Sequence, residues 1–145
     1  MIGVVQGRTM GHMAGRVVLI EDEANIAEAV RFLLSREGWQ VDVHPDGSDA
    51  LAVIEAAAPD LVILDLMLPG KSGMEIIREI REVDAMAHLP VLMLTARGQV
   101  KDREMAERAG VTRFMTKPFS NAEVLTAVRD LNAQALQSAS VRDAG

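Results

Sequence analysis

Three stretches of the chain are apolar without interruption for about the length of one β-strand, and each stops at a polar residue. They are residues 17–20 (Val-Val-Leu-Ile) before Glu21-Asp22-Glu23, residues 61–64 (Leu-Val-Ile-Leu) before Asp65, and residues 91–94 (Val-Leu-Met-Leu) before Thr95. A strand with one face in water alternates apolar and polar side chains. An unbroken run belongs to a strand covered on both faces, as in a parallel sheet sandwiched between helices.

The segments between these runs have the period of helices. Ile26, Val30, Leu33 and Leu34 share one helical face, and Gly38 follows as a stop. Trp39, Val41 and Val43 alternate with Gln40, Asp42 and His44, which suits a half-exposed edge strand, and Asp46-Gly47 makes a turn. Ala50, Leu51, Val53 and Ile54 mark a second helix closed by Pro59, and Met74, Ile76, Ile77, Ile80 and Val83 a third. A polar helix is predicted over about 99–109, a short strand at 113–115, and a last helix through about 135, opened by the capping-box spacing of Ser120 and Glu123. Five strands alternating with five helices predict an α/β fold, a doubly wound parallel sheet with right-handed crossovers.

Residues 1–14 lack periodicity and are read as a leader or tag-like segment. Residues 15–136 form the predicted domain, and residues 137–145, small and polar, a flexible tail. No cysteine is present, which excludes disulfides, zinc–thiolate sites and thiol catalysis. The net charge of −6 is opposite in sign to that of a bare nucleic-acid binder, and no apolar run approaches the roughly 20 residues of a membrane span. A cytoplasmic location is expected.

The chemistry lies at the strand ends. In an open parallel sheet the carboxyl ends share one edge, and ligands bind there. Glu21, Asp22, Asp65, Thr95 and Lys117, spread over most of the chain, are therefore predicted to share one pocket. Close carboxylates repel and need a cation, and an all-oxygen set favours Mg²⁺ where phosphate takes part. Lys117 can neutralise one phosphoryl oxygen and the Thr95 hydroxyl can donate to another. Asp65, alone at a central strand end, is the candidate nucleophile toward phosphorus, while the Glu21-Asp22 pair suits metal holding.

These residues resemble the receiver domains of two-component response regulators. The matching motifs are Val-Leu-Ile-Glu-Asp-Glu (18–23), Leu-Val-Ile-Leu-Asp-Leu-Met-Leu-Pro-Gly (61–70), Pro-Val-Leu-Met-Leu-Thr-Ala (90–96) and Lys-Pro-Phe (117–119). The resemblance implies a flavodoxin-like sheet in the order 2-1-3-4-5. It implies that Asp65 is the phosphoacceptor, with Mg²⁺ on Asp22, on Glu21 directly or through water, on Asp65 and on the backbone carbonyl of Met67. Thr95 and Lys117 would contact the phosphoryl group, and Phe114 would be an aromatic switch that turns inward as Thr95 moves. Such a protein is a phosphoacceptor switch rather than an enzyme on other substrates. Its partners would be a histidine kinase or histidine-phosphotransfer protein and a downstream protein target, with neither nucleic acid nor membrane bound directly.

Two departures from the family pattern stand out. Glu21 replaces the commoner Asp and lengthens the arm toward the metal, and Phe114 replaces a frequent Tyr. Two positions beyond Asp65 and Thr95 stand Met67 and Arg97. Neither serves well to orient a hydrolytic water, so both are expected to prolong the phosphorylated state. Lys101, Asp102 and Arg103 resemble the charged pattern of a homodimer face made by helix 4, strand 5 and helix 5. Thr112 and Arg113 stand where its acidic partners are usual, so only a weak homodimer is expected there.

Two other classes fit poorly. An aspartate-nucleophile phosphatase places a second Asp two residues after the first, where this chain has Met67. A nucleotide- or flavin-binding domain needs a phosphate-cradling loop after its first strand, where this chain has Glu-Asp-Glu. A third possibility, a degenerate receiver that only docks, is opposed by the intact Asp22, Asp65, Thr95 and Lys117.

Overall fold

The computed structural model describes residues 15–96 and 98–144, with residues 138–144 described by their backbone alone. The leader-like segment 1–14 and Arg97 lie outside the described residues. The elements are β1 (Gly15–Ile20), α1 (Ala24–Arg36), β2 (Trp39–His44), α2 (Ala50–Ala57), β3 (Leu61–Asp65), α3 (Gly73–Glu82), a 3₁₀ turn (Asp84–Met86), β4 (Val91–Thr95), α4 (Val100–Ala109), β5 (Arg113–Thr116) and α5 (Asn121–Ala144). All strand pairs are parallel, and the five strands lie in the order β2-β1-β3-β4-β5.

The unbroken apolar runs divide between two cores. Val17, Leu19, Leu61, Ile63, Leu92 and Leu94 face one side, where Ala27, Val30 and Leu34 of α1 and Val124, Ala127, Val128 and Leu131 of α5 cover them. Val18, Ile20, Val62, Leu64, Val91 and Met93 face the other, against Ile54 of α2, Ile76, Ile77 and Ile80 of α3 and Ala106 of α4. Each strand thus alternates between layers, and both layers are apolar. The edge strand β2 differs as expected: Trp39 is buried, Gln40 exposed, and residues 41–44 half-buried.

One boundary departs from expectation. The last helix does not stop near Ala135 but continues to Ala144. The segment 136–144 contains neither proline nor glycine, and its alanines, Leu136 and Gln137 are good helix formers, so nothing in it terminates a helix before Gly145. Small polar composition suggests a tail, but here backbone propensity decides the outcome.

The register sets up the site. Ile20 pairs with Leu64 and with His44, Asp65 with Leu94, and Thr95 with Thr116, so the strand ends form one edge. The order in which successive strands are added reverses between β1 and β3, and the crevice opens there.

Candidate functional site

Glu21 leaves the end of β1 with its backbone N–H still bonded to the His44 carbonyl at 3.0 Å. Its side chain is consequently held inside, 1% exposed, while Asp22, one residue on, faces solvent. Asp65 closes β3 and is 3% exposed. The Leu66 N–H, bonded to the Leu94 carbonyl at 2.8 Å, holds the chain in sheet geometry one residue further. The loop then turns back so tightly that the Gly73 N–H reaches the Leu66 carbonyl at 2.9 Å. A Cβ at Gly73 would run into the Asp65 carbonyl oxygen, so this position admits only glycine without movement. Ser72 and Glu75 form a capping box that starts α3 at that point.

On the other side of the crevice the Lys117 N–H donates to the Thr95 carbonyl at 2.7 Å, which carries β5 past its last paired residue. The Lys117-Pro118 peptide is cis. The Lys117 side chain is 9% exposed and its Nζ lies among three carboxylates, 2.9 Å from Glu21 Oε1, 2.8 Å from Glu23 Oε1 and 3.1 Å from Asp65 Oδ2. It donates hydrogen bonds to Glu23 and Asp65. Its approach to Glu21 Oε1 has ion-pair distance without hydrogen-bond direction, and that buried oxygen accepts no hydrogen bond. Glu21 Oε2 accepts the Glu23 N–H at 3.0 Å, and Asp65 Oδ1 accepts the Met67 N–H at 3.2 Å.

Burial raises the Glu21 carboxyl to about 7. Lys117 and the Glu23 amide oppose the shift, and the nearby Asp65 charge adds to it. For Lys117, burial acts to lower the pKa, but Glu23, Glu21 and Asp65 outweigh it and hold the ammonium above its ordinary value.

Glu21, Asp22 and Asp65 each offer an oxygen, and these oxygens lie within 4.8 Å of one another. A buried carboxylate oxygen without a donor is costly unless something positive completes it. Lys117 supplies one positive charge to Glu21 Oε1, and the all-oxygen donor set of Glu21, Asp22 and Asp65, with no nitrogen or sulfur ligand in the cluster, fits a hard divalent cation.

The other expected residues lie around this centre. Thr95 is fully buried at the end of β4, beside the crevice. Met67 is 55% exposed on the loop after Asp65. Phe114 is half-buried on β5, packs against the core under α3 and α4, and carries the Arg103 guanidinium 5.5 Å from its ring centroid. Two members of the anticipated dimer pattern are placed differently. Asp102 is buried, so it does not present its charge outward, and Arg113 pairs with Asp130 of its own chain at 3.1 Å. A buried acid one turn into a polar helix gives no sign of itself in helical periodicity.

Sequence reasoning missed two residues. Glu23, in the acidic triplet already noted, turns out to hold Lys117. Arg81 donates to the carbonyls of Gly110, Met86 and Ala87 and to Thr112 Oγ1, an arrangement with no local sequence signal.

Residues 17–129 match the family model of the response regulator receiver domain. Transcriptional regulatory protein TrcR of Mycobacterium tuberculosis is 42% identical over 116 residues, which cover 80% of this chain and 44% of TrcR. The chain thus spans less than half the length of that relative. NtrX from Brucella abortus superimposes with a TM-score of 0.84 at 30% identity, over 92% of this chain and 30% of NtrX. The beryllofluoride-activated N-terminal receiver domain of RstA from Klebsiella pneumoniae gives 0.74 at 28% identity, over 81% of this chain and 97% of that domain.

Proposed function

The chain belongs to the response regulator receiver domain family of two-component signalling, and on that premise we propose that it receives a phosphoryl group from a phosphohistidine protein on Asp65. The observation that carries this reading is the position of Asp65, whose Oδ2 faces Lys117 and whose carboxylate offers an oxygen within 4.8 Å of oxygens of Glu21 and Asp22. In the transfer an Asp65 oxygen attacks phosphorus, the phosphorus–nitrogen bond breaks, and the imidazole nitrogen keeps the electron pair. Glu21, Asp22, Asp65 and the Met67 carbonyl would hold Mg²⁺, which when bound screens the phosphoryl charge. Lys117 neutralises a phosphoryl oxygen, and the Thr95 hydroxyl donates to another. Movement of Thr95 then draws Phe114 inward and alters the surface of α4, β5 and α5.

The donor in this reading is a histidine kinase or histidine-phosphotransfer protein in the cytoplasm. The output is a change of affinity for a protein partner, not direct contact with nucleic acid or membrane. No helix among the described residues is long and apolar enough to cross a membrane. A weak homodimer through α4, β5 and α5 would have to form without outward charge from Asp102. The domain of this reading spans residues 15–136, with 1–14 outside it and α5 continuing beyond it to Ala144.

The test is incubation with acetyl phosphate and Mg²⁺ followed by mapping of the label. Incorporation should be confined to Asp65 and lost in Asp65→Asn and in EDTA. A label that survives Asp65→Asn at full level overturns the reading.

A further inference from the structure

Glu23 is a carboxylate of the site that the proposed phosphotransfer does not use. It occupies the N-cap position of α1, where Ser, Thr, Asp or Asn usually bonds a free amide of the first turn with a short side chain. Glu23 makes no such bond. Its backbone carbonyl accepts the Ala27 N–H at 2.9 Å and so starts the helix, while its carboxylate reaches across the crevice to Lys117 at 2.8 Å. A helix start that forgoes its side-chain cap beside a functional centre is a local rule broken where chemistry is placed.

The partners of Lys117 are not equivalent. Glu21 and Asp65 are buried and belong to the cation cluster, whereas the Glu23 side chain is 57% exposed and lies outside that cluster. An ammonium has three donors and no acceptor. A phosphoryl group on Asp65 needs one of those donors, and an exposed carboxylate, which water can solvate in its place, gives it up most easily.

We propose that Glu23 is a positioning residue that draws the Lys117 ammonium toward α1 before phosphorylation and competes with the incoming phosphoryl group for it. This rests on the reading of Asp65 as phosphoacceptor. Without the Glu23 contact, Lys117 is free to meet an anionic donor, so loading becomes faster at low donor concentration.

The experiment measures the initial rate of Asp65 phosphorylation against acetyl phosphate concentration in saturating Mg²⁺. It compares the wild-type chain with Glu23→Ala, Glu23→Asp and Glu23→Gln, and records a thermal melt of each. Glu23→Asp keeps the charge, shortens the reach and supplies a better N-cap; Glu23→Gln keeps the reach and loses the charge. Glu23→Ala and Glu23→Asp should both lower the half-saturating acetyl phosphate concentration by about 2- to 5-fold, the scale of an exposed ion pair. Glu23→Asp should do so with a melting temperature no lower than wild type, which a loosened fold would not give. If Glu23→Asp behaves as wild type while Glu23→Gln and Glu23→Ala load faster, bulk charge is responsible and the proposal fails. If wild type loads on Asp65 and neither Glu23→Ala nor Glu23→Asp loads faster, the proposal alone fails. If wild type does not load on Asp65, the phosphoacceptor reading fails and takes the proposal with it.

Discussion

At the scale of single residues, the carboxylates of the site differ in exposure and so in the work they can do. Glu21 is shut inside with one oxygen lacking a donor, whereas Asp22 meets solvent. A carboxyl raised to about 7 binds its proton more tightly in the folded chain than in the unfolded one. Its contribution to stability is therefore complete below the unfolded pKa of 4.5 and is lost as pH rises through 7. In EDTA, Glu21→Gln should flatten the fall in melting temperature between about pH 5 and pH 8. A fall as steep as wild type would show that another group controls it. For the cation, Asp22→Ala should weaken Mg²⁺ binding strongly and Glu21→Ala less, as read by a fluorescence or calorimetric titration. Met67 is exposed two residues beyond Asp65, and on the proposed reading the double variant Met67→Asn, Arg97→Glu should lose its phosphoryl group several-fold faster than wild type when dephosphorylation is followed in the purified protein. Asp65, Glu21, Asp22, Thr95 and Lys117 were legible in sequence because each ends or follows a strand-like run. Glu23's grip on Lys117 was not, because it depends on the distance between two loops.

At the scale of elements, the strands and most helices follow from apolar period, since that period states how many faces are covered. The end of α5 is the exception: small polar residues suggest a loop, but nothing in them stops a helix. Arg81 shows what pattern cannot reveal. Its guanidinium joins the end of α3 to carbonyls of the 3₁₀ turn, to the Gly110 cap of α4 and to Thr112 just before β5. Thr112 Oγ1 in turn accepts the Val91 N–H at 3.0 Å. Half-buried and desolvated, this arginine has its pKa lowered, though it stays charged. Arg81→Met keeps much of the stem and leaves several carbonyls short of a donor, so it should cost about 1–3 kcal/mol in denaturant unfolding. A change under about 0.5 kcal/mol, the range of an ordinary surface substitution, would contradict this account.

At the scale of the whole molecule, the strand-end edge has a consequence for how function is lost. Asp65, Glu21, Thr95 and Lys117 come from four different strand-to-helix connections, and the lysine reaches its partners from 52 residues beyond Asp65 and 94 beyond Glu23. The whole set needs β1, β3, β4 and β5 together, so order that lacks any one of these strands is useless to it. A domain of this size commonly unfolds in one cooperative transition. The fraction of molecules able to accept a phosphoryl group should then track the fraction with native circular dichroism across a urea titration, point for point. Receptivity to signal would be an all-or-none property of the polypeptide, with no half-competent species to respond weakly or at the wrong time.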